Sequence, residues 1–354
     1  MITLCTLFDH NYLDKGITMY ESLERVSSDF NLYVLCMSDK CYTILSELQY
    51  EKLIPIKLED FETEELLKVK SERSVGEYCW TSSASLVDYI FRTFNPPSCS
   101  YIDSDLYFYS DPNCILDEMN RRKASVQITA HRFNLYDEKK MSWKVGKYCV
   151  EFNTFINNNE GLYVLDIWRR QCLEYCKCDG DGIHWADQKY MDNWVEDYSY
   201  AIETENLGAG IAPWNIAQYR LVTSDDHGPT KVRCKGKYYT PLFYHFQNMT
   251  YIDENKIHSN THTYWGVDKK LVYSFYLPYA KHVALNKKML KEKYGIDVLL
   301  HHHPGVEVTK QESFINAFMG KIKNILSKES WKSLFYHRLP ALLSPDKGVI
   351  NFNS

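Results

Sequence analysis

The sequence predicts an α/β fold: a mainly parallel sheet flanked by helices, followed by a helical C-terminal tail. Three observations predict it. Short apolar runs of strand length alternate with apolar residues at helical spacing through the first hundred residues, as right-handed βαβ units require. Two further strand-like runs later in the chain make the order mixed rather than strictly alternating. The composition, 45% hydrophobic and 25% charged, is that of a folded globular chain, and no run approaches the roughly 20 apolar residues of a bilayer span.

The elements follow in order. ITLCTLF (2–8) is a continuous apolar run of strand length. Ile17, Tyr20 and Leu23 put a helix over 14–26. NLYVLCM (31–37) is a second buried strand, and Ser38 or Asp39 caps the helix after it. KLIPIKL (52–58) is a third strand. A short helix covers 62–70, and a longer one runs from Ser82 to Phe94 until Pro96-Pro97 stops it. CSYID (99–103) is the fourth strand. ASVQITA (124–130) and CVEFNTFI (149–156) are the two later strands. A helix over 160–176 places Leu162, Leu165, Trp168 and Cys172 on one face, a Gly/Asp-rich loop follows, and a further helix is expected from His184 to Trp194. Residues 198–250 read as short strands and turns.

The eleven cysteines are an odd number without repeating spacing. Reduced thiols fit better than a disulfide framework, and with no basic n-region at the start the expected location is cytoplasmic. Cys172, Cys176 and Cys178 lack a second Cys/His pair at zinc spacing and read as helix-face thiols. His301-His302-His303 reads as a solvated turn. The net charge of −5 argues against nucleic acid as the main partner.

Tyr101-Ile102-Asp103-Ser104-Asp105 carries the chemistry. An apolar strand runs into two carboxylates one residue apart, where open α/β sheets bind ligands. Two acids there repel unless a cation lies between them. A hard ion, Mn²⁺ or Mg²⁺, suits carboxylates together with diphosphate oxygens and would stabilise the charge on a departing diphosphate. Asp-x-Asp alone is also found as a solvated loop pair.

Further motifs stand in order with it: TLFDHNYLDKGITMYESL, YIDSDLYFYSDP, CVEFNTFINNNEGLYVLDIW, WADQKYMDNW, GAGIAPWN and FYHFQNM. Over residues 1–265 the chain resembles the GT-A glycosyltransferases, in particular the retaining galactosyltransferase-like group (glycosyltransferase family 8) and bacterial nucleotide-diphospho-sugar transferases. The resemblance implies a GT-A, Rossmann-like catalytic domain over 1–285 and a helical basic tail over 286–354. It implies transfer of a sugar from a nucleotide-sugar donor, a UDP-sugar, to a hydroxyl of a glycan or glycolipid, with retention. Asp103, Asp105 and His245 would ligate the metal. Thr6, Phe8, Asp9, Trp80, Thr81, Asp103 and Ser104 would contact the donor. Asn153, Asp187 and Gln188 would face the transferred sugar. Read without the resemblance, His245 is a core histidine, Thr6 and Phe8 are sheet core, Asn153 caps a turn, and Asp187 and Gln188 are an exposed helix face.

Two departures stand out. The segment Phe246-Gln247-Asn248-Met249 has no Lys to hold a diphosphate, and the usual basic residue on the helix before the metal strand is missing, Arg73 and Arg92 being the nearest substitutes. Among rival functions, a sugar nucleotidylyltransferase needs a Gly-rich basic loop after the first strand, which Phe8-Asp9-His10-Asn11-Tyr12 is not. A non-catalytic sugar-binding protein is the other alternative. Residues 310–338 hold six basic and two acidic side chains, a net of +4, with Phe314, Phe318, Ile322 and Ile325 at helical spacing. Such a segment suits peripheral contact with an anionic membrane or packing on the catalytic domain.

Overall fold

A computed structural model describes residues 1–134, 138–179, 181–261, 266–298 and 348–352. Its centre is a seven-stranded sheet of order β3-β2-β1-β4-β7-β6-β8. The strands are β1 (Ile2–Phe8), β2 (Phe30–Cys36), β3 (Leu53–Lys57), β4 (Ser98–Ile102), β6 (Val126–Ala130), β7 (Tyr148–Ile156) and β8 (Ala201–Glu203), with the short β5 (Leu106–Phe108) lying outside the sheet. The pairs β1–β2, β2–β3, β1–β4 and β6–β8 are parallel, and only β7 runs against its neighbours. The expected mainly parallel sheet flanked by helices is what the chain forms.

Helices form over or close to the expected 14–26, 62–70, 82–94 and 160–176 and after Ser38. The helices are α1 (Leu13–Val26), α2 (Asp39–Leu48), α3 (Leu58–Phe61), α4 (Glu64–Lys70), α5 (Val75–Phe94), α6 (Asn113–Arg122), α7 (Glu138–Val145), α8 (Asn159–Glu174), α9 (Trp194–Asp197) and α10 (Lys269–Tyr294). Ser38 caps α2 by accepting from the Cys41 N–H. Helix α5 starts seven residues before the expected Ser82, because Ser74 and Glu77 form a reciprocal capping box. The sheet is buried on both faces. Ile17, Leu23 and Leu32 belong to one apolar layer, and Leu86, Ile90, Val164 and Trp168 to the other.

One expected helix does not form. Between His184 and Trp194 there is only a 3₁₀ turn over Lys189–Met191 before α9. The Trp168 indole donates to the Asp187 carbonyl (2.8 Å), the acceptor that the Met191 N–H would use in an α-helix, and Met191 bonds instead to Gln188. Ala186 is left-handed (φ +48°), a backbone state uncommon outside glycine. Tertiary hydrogen bonds therefore override helical spacing here.

The later strands are β9 (Tyr219–Asp225), β10 (Gly228–Cys234), β11 (Lys237–Tyr239), β12 (Phe243–His245), β13 (Thr250–Asp253), β14 (Lys256–His258) and β15 (Val349–Asn351). They form small antiparallel ladders around α10. The expected domain division at 285/286 falls inside α10, which packs along α1. The chain end returns as β15 to pair with β14, with Phe352 buried. All eleven cysteines are free; Cys172 and Cys176 are buried as expected, and Cys178 is exposed. The expectations for His301–His303 and for the basic stretch 310–338 lie outside the described residues.

Candidate metal centre

Strand β4 ends at Ile102, and the chain turns through Asp103, Ser104 and Asp105 into β5. The Asp103 N–H is held by the Glu151 carbonyl of β7 (3.1 Å), and the Asp105 carbonyl accepts from the Phe246 N–H (3.0 Å). Strand β12 pairs antiparallel with β5, placing His245 opposite Leu106. This small ladder brings a histidine distant in sequence onto the Asp-x-Asp turn. His245 Nε2 lies 3.0 Å from Asp105 Oδ1 and 3.6 Å from Asp103 Oδ2. The three residues expected to ligate a metal therefore converge at the carboxyl end of β4.

Glu151 completes the group, and sequence reading missed it. Its side chain is fully buried, with Oε2 accepting from His245 Nδ1 at 2.7 Å. A carboxylate on the far nitrogen fixes the tautomer and aims Nε2 at the metal position. The other oxygen, Oε1, is buried without a hydrogen bond. Gly210, left-handed at φ +67°, packs there, and a Cβ on it would come within 2.6 Å of Oε1. The signal in the sequence was an acid within a strand-length run rich in apolar residues, CVEFNTFI.

The electrostatics follow from burial and charge. Burial and the neighbouring acids push Asp103 up to about 7, against the pull of His245. Burial also acts to raise Asp105, but the charge and hydrogen bond of His245 outweigh it and hold Asp105 below the usual carboxylate range. His245 is the converse: burial favours the neutral ring, yet Asp105, Cys149 and Glu151 hold it well above the usual histidine range. The ring thus stands among carboxylates, an arrangement whose negative charge a divalent cation would balance. Cys149 Sγ also lies with Asp103 and His245 in one group of ligand atoms within 4.8 Å. Burial foremost, with the Glu151 charge, pushes its thiol up to about 12, so at neutral pH it is a weak ligand. The carboxylate–carboxylate–imidazole set fits a hard divalent ion better.

The other expected site residues are placed as follows. Asp187 is buried, with Oδ2 accepting from Ser83 of α5 (2.7 Å), and burial raises it to about 7. Its charge reaches Asp103, so it borders the centre. Gln188 donates to the Val145 carbonyl (2.6 Å). Asn153 is buried within the sheet, its Oδ1 accepting the Thr129 N–H (3.3 Å) at an irregularity in β6. Thr6 is buried with an unbonded hydroxyl, and Phe8 packs on Gly16, where a Cβ would lie 2.4 Å from the ring. Asp9 closes a turn by accepting from the Asn11 N–H and amide (2.9 and 2.8 Å). Thr81 is buried and donates to the Glu77 carbonyl, Trp80 is 37% exposed, and Ser104 occupies the turn between the two acids. Both substitute arginines make other contacts. Arg73 donates to the Leu173 and Glu174 carbonyls at the end of α8, and Arg92 pairs with Asp88.

No family model matches the chain. It is 30% identical over 287 residues to the Bacillus subtilis (strain 168) protein YfnD, covering 77% of this chain and 86% of YfnD. The chain belongs to the YfnD family. YfnF of the same strain is 28% identical over 308 residues, 82% of this chain and 95% of its own length. Among solved structures, this YfnD-family chain is similar to mouse xyloside xylosyltransferase 1 at 13% identity and a TM-score of 0.45, over 70% of this chain and 98% of that one. It is similar to the galactosyltransferase LgtC, crystallised with donor and acceptor sugar analogs, at 14% identity and a TM-score of 0.38, over 60% and 76% of the two chains. It is also similar to the glycosyltransferase GlyE of Streptococcus pneumoniae TIGR4, at 13% identity and a TM-score of 0.38, over 58% and 45%.

Proposed function

We propose that this protein is a metal-dependent glycosyltransferase that moves a sugar from a UDP-sugar to a hydroxyl of a glycan or glycolipid, with retention of configuration. The observation that carries this reading is the convergence of Asp103, Asp105 and His245 at the carboxyl end of the parallel sheet, with Glu151 orienting the histidine. Asp103, Asp105 and Nε2 of His245 would hold Mn²⁺ or Mg²⁺, whose chemistry here is to neutralise charge on the departing diphosphate.

The protein's own groups do the rest. Asp103 and Asp105 place the diphosphate end of the donor over the sheet. Asp9 and Trp80 take the nucleoside end, with Thr6, Phe8 and Thr81 as the packed support beneath them. Asp187, held by Ser83, presents its carboxyl to a sugar hydroxyl, and Gln188 and Asn153 fix the segments around it. Glu151 keeps the Nδ1 proton of His245. Residues 310–338 give peripheral contact with an anionic membrane surface, beside a glycolipid acceptor.

The deciding experiment is a thermal-shift panel of nucleotides and nucleotide sugars with and without Mn²⁺. A ligand at 100 times its Kd stabilises the folded state by about 2.7 kcal/mol. A shift with UDP-linked sugars that depends on Mn²⁺, followed by sugar release on incubation, is the expected result. No shift with any nucleotide sugar in Mn²⁺ contradicts the proposal.

A further inference from the structure

A departing nucleoside diphosphate needs more positive charge than the metal centre supplies. A divalent ion held by Asp103 and Asp105 is neutralised by those two carboxylates before any phosphate binds. The chain after His245 offers no lysine through Met249, and Arg73 and Arg92 are engaged elsewhere.

Lys15 meets the requirement. It is the third residue of α1 and only 4% exposed. Its ammonium stands 4.4 Å from the ring centre of Tyr12, and its positive charge acts on Asp105 of the metal centre as well as on Asp14. Among the described residues its one direct contact is the Tyr12 ring, with no ion pair and no side-chain hydrogen bond. Lysines are almost never this buried unless paired. Its position adds a second penalty, because a cation in the first turn opposes the positive end of the helix dipole. That helix end also lacks a side-chain cap: Tyr12 occupies the N-cap and accepts nothing through its side chain. An ammonium without an ion-pair partner, on a side chain otherwise packed, and a helix N-terminus without a side-chain cap together form a cradle for an anion.

We infer that Lys15 and the N-terminus of α1 hold the diphosphate of the donor, supplying from the first helix the cation missing after His245. This inference rests on the nucleotide-sugar reading above. The alternative role for Lys15 is to balance the buried carboxylate of Asp14, whose Oδ1 has no hydrogen bond while Oδ2 accepts from the Tyr251 hydroxyl.

The test compares wild type, Lys15→Met and Lys15→Arg. Affinities for UDP and for uridine are measured by competition in saturating Mn²⁺, with Mn²⁺ affinity and melting measured without nucleotide. Lys15→Met is expected to weaken UDP roughly 10- to 100-fold, the range for a lost charge-assisted hydrogen bond, and to leave uridine within about twofold. Lys15→Arg should retain most of the UDP affinity. A lysine that only balances Asp14 would shift melting and leave the UDP-to-uridine ratio unchanged, which overturns the inference; so does an equal loss of both ligands. If wild type binds neither UDP nor any other nucleoside diphosphate in Mn²⁺, the proposed function itself fails, and that outcome is distinguishable from a failure at Lys15.

Discussion

Glu151→Gln is the most searching perturbation of the centre, because it changes one atom and leaves the volume nearly constant. In the native site the fully buried Oε2 accepts from His245 Nδ1 at 2.7 Å. A hydrogen bond to a charged partner contributes about 1.5–3 kcal/mol, and a neutral one about 0.5–1.5. Glutamine therefore loses on the order of 1–1.5 kcal/mol even when its carbonyl keeps the bond. Its NH₂ must then occupy the Oε1 position, which is buried, has no acceptor, and lies against Gly210. An unsatisfied buried donor costs roughly 1–3 kcal/mol of folding stability, with or without metal. In the flipped orientation the NH₂ faces Nδ1, the ring proton moves to Nε2, and the metal position is blocked. At about 1.36 kcal/mol per tenfold the weakened hydrogen bond alone lowers Mn²⁺ affinity about 5- to 13-fold, and loss of orientation extends this to about 100-fold, the upper end of the range seen when the outer partner of a metal-bound histidine is lost. The assay is Mn²⁺ titration followed by electron paramagnetic resonance, with His245→Ala as the reference for a lost ligand. Affinity within twofold of wild type in Glu151→Gln, while His245→Ala is strongly impaired, would refute the orienting role.

Four further outcomes are expected. Asp103→Asn or Asp105→Asn should abolish Mn²⁺-dependent sugar release with the fold intact by circular dichroism; wild-type turnover persisting in excess EDTA would sink this. Mn²⁺ affinity should rise with pH, because Asp103, raised to about 7, and His245, held well above its usual range, must both lose protons to ligate; the rise should be steeper between pH 6 and 7 than between 7 and 8, and a flat profile contradicts it. Asp187→Asn should lower kcat far more than nucleotide affinity. In the metal-free protein, Asp187 has a folded value raised to about 7, so it contributes stability present below its ordinary value near 4 and lost as pH rises through 7. The Asn variant should lose less melting temperature than wild type between pH 5 and 8. Finally, replacing 310–338 by a short neutral linker, while keeping the strand Val349–Asn351 that pairs with β14, should abolish low-salt sedimentation with phosphatidylglycerol vesicles; a net +4 at about 1 kcal/mol per basic residue makes the attraction salt-sensitive, and no binding by the full chain at low salt ends the membrane reading.

What was legible in the sequence was what local physics controls. Apolar runs of strand length, such as Ile2–Phe8, buried throughout, and Phe30–Cys36, declare strands. Helical spacing with a cap declares α2, and spacing alone declares α1. Asp103 and Asp105 were legible because two acids one residue apart at the end of an apolar strand repel each other unless a cation lies between them. The His184–Trp194 segment was misread because its hydrogen bonds go to Trp168 and Ser83, partners that no local window contains. His245 was recognised only through resemblance, since by itself it sits in an apolar run and reads as core. Glu151 was missed because a lone acid in a buried strand has no pattern; its meaning comes from the β5–β12 ladder that carries a histidine across the fold to meet it. The same holds for Lys15, where sequence shows an ordinary helix-start lysine and only packing buries its stem and leaves it without an ion-pair partner. The sequence by itself determined the strands of the main sheet's first half, the helices between them and the acid pair, because each depends on neighbours along the chain. Tertiary structure alone decided which charges lost their solvent and which partners they found, because burial and pairing are properties of space rather than of sequence distance.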